Sequence, residues 1–111
     1  MRRIALIVLV ALAEISWAEP FTALGEDEIE AALNDVTLTY EGGEVQTFYA
    51  SGRTLYDNGR PSWGYWAARG DRYCSQWPPA DGWACYRMDR AGDTLRFIGE
   101  RGDISAGKIT R

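Results

Sequence analysis

Val36-Thr37-Leu38-Thr39-Tyr40-Glu41-Gly42-Gly43-Glu44-Val45-Gln46-Thr47-Phe48 alternates apolar with polar residues, breaks at a glycine pair, and alternates again. Successive side chains of a strand point to opposite faces, so Val36, Leu38 and Tyr40 share one side and Thr37 and Thr39 the other. The glycines supply the backbone freedom that a reversal needs. The same texture continues to the C-terminus. Short runs rich in Val, Thr, Tyr, Phe, Trp and Ile are separated by turn signals such as Ser51-Gly52, Asn58-Gly59-Arg60-Pro61, Gly70-Asp71, Pro78-Pro79-Ala80-Asp81-Gly82, Arg90-Ala91-Gly92-Asp93 and Arg101-Gly102-Asp103. This punctuation predicts strands over 36–40, 45–50, 53–57, 62–68, 72–77, 83–88, 94–99 and 104–110. Near the C-terminus Leu95 and Phe97 oppose Thr94 and Arg96, again one inward and one outward set. Eight strands joined by short hairpins predict a mainly β domain, an antiparallel meander in the form of a small barrel.

Upstream of the strands, Gly25-Glu26-Asp27-Glu28-Ile29-Glu30-Ala31-Ala32-Leu33-Asn34 carries its acids in the first turn, where the helix dipole favours them. Leu24, Ile29, Ala32 and Leu33 recur at helical spacing, which predicts one short amphipathic helix ending near Asn34. The acidic run is read as its solvated face.

Before the helix lies a leader. Arg2 and Arg3 give a positive start, Ile4 to Ala13 is apolar, and Ser16-Trp17-Ala18 places small residues at −3 and −1 of a cleavage site. Residues 1–18 therefore read as a signal peptide and residues 19–111 as a single small domain, soluble and periplasmic or secreted, with no membrane anchor expected. Cleavage removes two arginines and one glutamate, taking the net charge from −4 to −5. That balance, with no basic cluster, argues against nucleic acid and anionic membranes as partners.

The two cysteines, Cys74 and Cys85, fall on two predicted strands joined by the Pro-Pro loop, and export favours a disulfide between them. A ring of about a dozen residues stabilises by roughly 3 kcal/mol through the unfolded chain. Histidine is absent, which removes Ser-His-Asp and Cys-His nucleophile systems, His-ligated zinc and the usual neutral-pH general base. No catalytic residue, cofactor or metal is expected. Asp57, Asp71, Asp81, Asp93 and Asp103 each sit in or beside a turn containing glycine, so turn chemistry accounts for them.

The densest aromatic region runs from Trp63 to Tyr86. Alternation puts Trp63 and Tyr65 on one face and Trp66 on the other, so the rings cannot all be core. Bulky rings filling the barrel are one reading; an exposed binding platform for a protein, small-molecule or glycan ligand is the other. The platform residues would be Trp63, Tyr65, Trp77 and Trp83, with Arg53, Arg60, Arg69, Arg72 and Arg87 interleaved. The first expectation of function is thus a non-catalytic binding protein.

Two resemblances extend this reading. The leader, helix, Gly64-x-Trp66, Tyr73-Cys74, Cys85-Tyr86, Phe97 and Gly107 resemble small exported proteins of alphaproteobacteria, a likeness that implies no activity. Ala50-Ser51-Gly52-Arg53-Thr54-Leu55-Tyr56, followed by Trp66 and Arg69-Gly70-Asp71, is similar to the Ser-Gly-x-x-Tyr and Trp-x-Lys-Gly-Asp pattern of periplasmic inhibitors of c-type lysozyme. That likeness implies an alternative function, inhibition of a cell-wall hydrolase. Ser51 would match the loop serine and Arg69 the lysine that enter the enzyme's cleft, with Arg53 beside them. Arginine replaces lysine, however, and Tyr56 comes one place late.

Overall fold

A computed structural model describes residues 20–110; the predicted signal peptide lies outside the described residues. The chain forms β1 (Thr22–Ala23), α1 (Glu26–Leu33), β2 (Val36–Tyr40), β3 (Val45–Phe48), β4 (Arg53–Asp57), β5 (Pro61–Arg69), β6 (Arg72–Gln76), β7 (Trp83–Ala91), β8 (Thr94–Ile98) and β9 (Ile104–Ile109). Strands β2 to β9 pair antiparallel in chain order, and β9 returns to β2 through Leu38↔Ile109 and Tyr40↔Gly107, closing an eight-stranded barrel. The mainly β prediction is correct. Every predicted strand is present, with β2 and β4 at their predicted limits and β7 running on to Ala91.

Each long strand serves two neighbours in succession. β5 pairs with β4 over residues 61–65 and with β6 over 65–69. β7 pairs with β6 over 83–86 and with β8 over 87–91. This stagger tilts the strands about the barrel axis, as closure of a sheet requires. β1, a strand too short to be seen in the sequence pattern, adds to β7 through Thr22↔Arg90 and Ala23↔Asp89, on the side that β6 leaves open. Phe21 next to it lies under the Arg96 guanidinium at 3.7 Å, and Arg96 is held by Asp89 in a bidentate pair at 2.7 and 2.8 Å.

The two ends of the barrel differ. At one end α1 lies across the opening. Its Ile29, Ala32 and Leu33 join Val36, Leu38, Phe48, Trp66, Met88 and Leu95 in one buried cluster. The Glu28 carboxylate accepts from the Gly25 N–H at 2.8 Å, and Glu26 accepts from Gly70 N–H at 2.7 Å, tying the first turn to the β5–β6 hairpin. Asp35 follows the helix in the left-handed region (φ 56°) and accepts from the Ala50 N–H at 3.0 Å, so one residue both ends the helix and anchors the β3–β4 turn. Among the described residues no such cover lies over the hairpins at the other end, 41–44, 58–60, 77–82 and 99–103.

Cys74 and Cys85 face each other in register on β6 and β7, 4.0 Å apart at Cα, and are disulfide-bonded as predicted. Among the described residues no helix is long and apolar enough to cross a membrane.

Candidate functional site

The uncovered end opens into a cup of about 800 Å³. Strand parity creates it. Tyr40, Gln46, Tyr56, Tyr73, Ser75, Tyr86 and Phe97 all occupy inward positions, and at this end they replace the aliphatic residues that fill the other. Phe97 meets Tyr73 edge-on, with ring centroids 4.9 Å apart, and lies 6.3 Å from Tyr40.

The floor is polar but internally satisfied. The Tyr40 hydroxyl donates to Gln46 Oε1 at 2.6 Å, Gln46 Nε2 donates to Thr54 Oγ1 at 2.9 Å, and Thr54 Oγ1 donates to the Thr47 carbonyl at 2.8 Å. Among the described residues no buried side-chain nitrogen or oxygen lacks a partner. Burial raises the Tyr40 and Tyr73 hydroxyls well above their ordinary pKa; for Tyr40 the neighbouring Tyr73 and Tyr56 and the Glu44 carboxylate add to it. Both phenols are neutral donors and acceptors at physiological pH.

Trp77 forms one side of the mouth. Its ring packs edge-on against Tyr56 at 6.2 Å and its Nε1–H donates to Ser75 Oγ at 3.2 Å. It can lie there because Gly64 on β5 has no side chain. A Cβ at Gly64 would stand 2.6 Å from Trp77 Cε3 and 2.7 Å from the Gln76 carbonyl. Glu41, Glu44 and Asp103 line the rim.

Most of the other residues singled out in the sequence lie on the outside of the barrel, although Trp63 also borders the cup. Trp63 (46 % exposed), Tyr65 (44 %) and Trp83 (36 %) project from the outer face of β5 and β7, as alternation predicts for Trp63 and Tyr65. The Arg53 guanidinium sits 4.3 Å over the Trp63 ring, whose other neighbour is Tyr49 at 6.0 Å. Arg69 reaches across β6 to sit 4.2 Å over Trp83. Trp77 therefore does not belong with the other three. Trp66 points inward, its Nε1–H donating to the Tyr49 carbonyl at 2.8 Å. Ser51 is exposed in the β3–β4 turn, at the helix-covered end, where its hydroxyl accepts from the Arg53 N–H at 3.4 Å. Arg53 and Arg69 are thus each brought to a tryptophan, on the side wall, while Ser51 stands in a turn remote from the cup.

Sequence reasoning missed Tyr40, Gln46, Glu44, Tyr56 and Tyr86 as site residues. The signal lay in polar residues at inward positions: Gln46 and Ser75 occupy the core side of strands whose other inward residues are apolar or aromatic. A second signal was Gly64 amid Trp63, Tyr65 and Trp66, where a strand gives up side-chain volume to a neighbour.

Among the described residues no group of three or more acidic or sulfur ligands is placed to hold a metal ion. Comparison with protein-family models, with curated proteins and with solved structures finds no match to this chain.

Proposed function

We propose that the protein is an exported, non-catalytic binding protein whose ligand is a small molecule held in the cup. The supporting observation is the asymmetry of the barrel: one end is filled and covered by α1, while the other holds about 800 Å³ walled by aromatic rings. A volume of this size suits a small organic ligand, and the lining joins aromatic faces to polar groups in about equal measure. Because strand pairing runs all the way round, the walls are preformed, and little ordering opposes binding.

The test is a thermal-shift screen of the mature protein against small metabolites, followed by tryptophan fluorescence. Hits should raise Tm, perturb indole emission, and lose affinity in Trp77→Ala. A screen whose hits are insensitive to Trp77→Ala and to Tyr56→Ala, or that has no hits at all, would reject the cup. Fractionation of cells expressing the full chain should recover the processed domain outside the cytoplasm.

The second reading, inhibition of a cell-wall hydrolase, is favoured by Ser51, exposed in a tight turn two residues before Arg53. It uses the opposite end of the barrel. A lysozyme assay in which Ser51→Ala and Arg69→Ala abolish inhibition while Trp77→Ala has no effect would support it; no inhibition by the parent protein would dismiss it.

A further inference from the structure

Resting on the cup as the binding site, we propose that its ligand is a small organic cation, an ammonium group on a compact apolar body. Two features of the cup argue for that class and a third is compatible with it. The first is the wall: Tyr40, Tyr56, Tyr73, Trp77, Tyr86 and Phe97 line one concavity. The faces of aromatic rings carry negative electrostatic potential and attract an ammonium ion while also accepting its apolar substituents.

The second is charge. Glu41, Glu44 and Asp103 line the rim, and among the described residues no lysine or arginine lines the cup. Among the described residues the one ion pair is Arg96 with Asp89, so none of the rim carboxylates is neutralised by a cation. The Arg53 and Arg69 guanidiniums are stacked on Trp63 and Trp83 instead. The Glu44 field reaches the interior: the Tyr56 hydroxyl is raised by burial and then by Glu44, and the Tyr40 hydroxyl by burial, its tyrosine neighbours and Glu44. An anion entering this mouth is repelled, and a neutral ligand gains nothing from it.

The third is hydrogen bonding. The Tyr40 hydroxyl proton, Gln46 Nε2 and Trp77 Nε1–H already donate within the wall. The Tyr56, Tyr73, Tyr86 and Ser75 hydroxyls also line the cup, and each can turn a lone pair towards a cationic head. A metal ion is a poor occupant, because the carboxylates stand around a rim of rings and are not gathered into a coordinating group.

The test is a titration of the mature protein, by calorimetry and tryptophan fluorescence, with tetramethylammonium, choline and benzyltrimethylammonium. Each is paired with its uncharged carbon isostere, and glucose and inorganic phosphate serve as controls. At low salt at least one cation should bind about tenfold more tightly than its isostere, a difference that cation–π attraction and rim charge together supply. Glu44→Gln should weaken the cation severalfold and leave the isostere unchanged; Trp77→Ala should weaken both. Isosteres or glucose binding as well as the cations, with Trp77 still required, would overturn the ligand class and leave the cup standing. If no cation exceeds its isostere and no probe responds to Trp77→Ala, both the class and the site fall.

Discussion

The same strands build both ends of this barrel, yet the two ends are made of different material. β2 passes from Val36 and Leu38 to Tyr40, β3 from Phe48 to Gln46, and β8 from Leu95 to Phe97, each moving from the helix-covered end towards the mouth. At the covered end Ile29, Leu33, Leu38 and Leu95 are wholly shielded from water. At the mouth the inward residues are tyrosines, a glutamine, a serine and a tryptophan around open space. A small domain has one core to stabilise it, and here that core is displaced to one end so that the other can stay hollow.

Substitutions should separate the two ends by what they damage. Leu33→Ala removes a fully buried side chain from the covered end and should cost about 2–5 kcal/mol in urea denaturation, with ligand affinity of the surviving fold unchanged. A cost below about 1 kcal/mol would show that α1 is not the plug it resembles. The double replacement of Cys74 and Cys85 by Ala, removing a link between residues 11 apart, should cost about 2–4 kcal/mol, and reductant should then have no further effect.

The mouth should reveal its buried phenols in alkali. Tyr40 and Tyr73 have pKa values raised in the folded state, so the unfolded chain loses their protons first. Stability should be flat with pH up to about 10 and then fall by about 1.4 kcal/mol per pH unit for each tyrosine. Tyr40→Phe should make that fall shallower, as read from denaturation midpoints between pH 9 and 11.5. Gly64→Ala should displace Trp77 at a cost of about 1–3 kcal/mol, shift its emission, and reduce cup affinity by more than its stability cost suggests. The smallest effect belongs to the side wall: Arg53→Ala, at an exposed cation–π contact, should cost less than about 1 kcal/mol and leave the cup unaltered.

Much of the fold was legible because its causes are local. Alternation around Val36, Leu38 and Tyr40 and glycine-bearing turns such as Gly42-Gly43 and Ser51-Gly52 place strands without knowledge of their partners. The disulfide was legible because Cys74 and Cys85 lie on neighbouring strands of one hairpin. β1 was not, because two residues show no period and their pairing depends on β7 outrunning β6. The cup was not legible for a different reason. Parity says that Tyr56 and Tyr86 point inward, but whether inward residues fill a barrel or line a void depends on how their volumes sum across eight strands. Trp77 was misgrouped with Trp63, Tyr65 and Trp83 because it lies just past the end of β6, where strand parity no longer governs and the space above Gly64 does.

Closure of the barrel leaves one seam. Where β6 stops at Arg72, β7 continues towards Ala91 with one side of its backbone unpaired, and this is where Thr22 and Ala23 lie down, with the Leu24 N–H donating to the Met88 carbonyl at 2.9 Å. An unpaired strand edge is a template for another molecule's strand, and such templates seed self-association. β1, pinned by Phe21 beneath Arg96, blocks that template with a segment of the same chain. The few residues ahead of the helix thus occupy an edge to which the strand of a second copy could otherwise add, a duty separate from anything held inside the barrel.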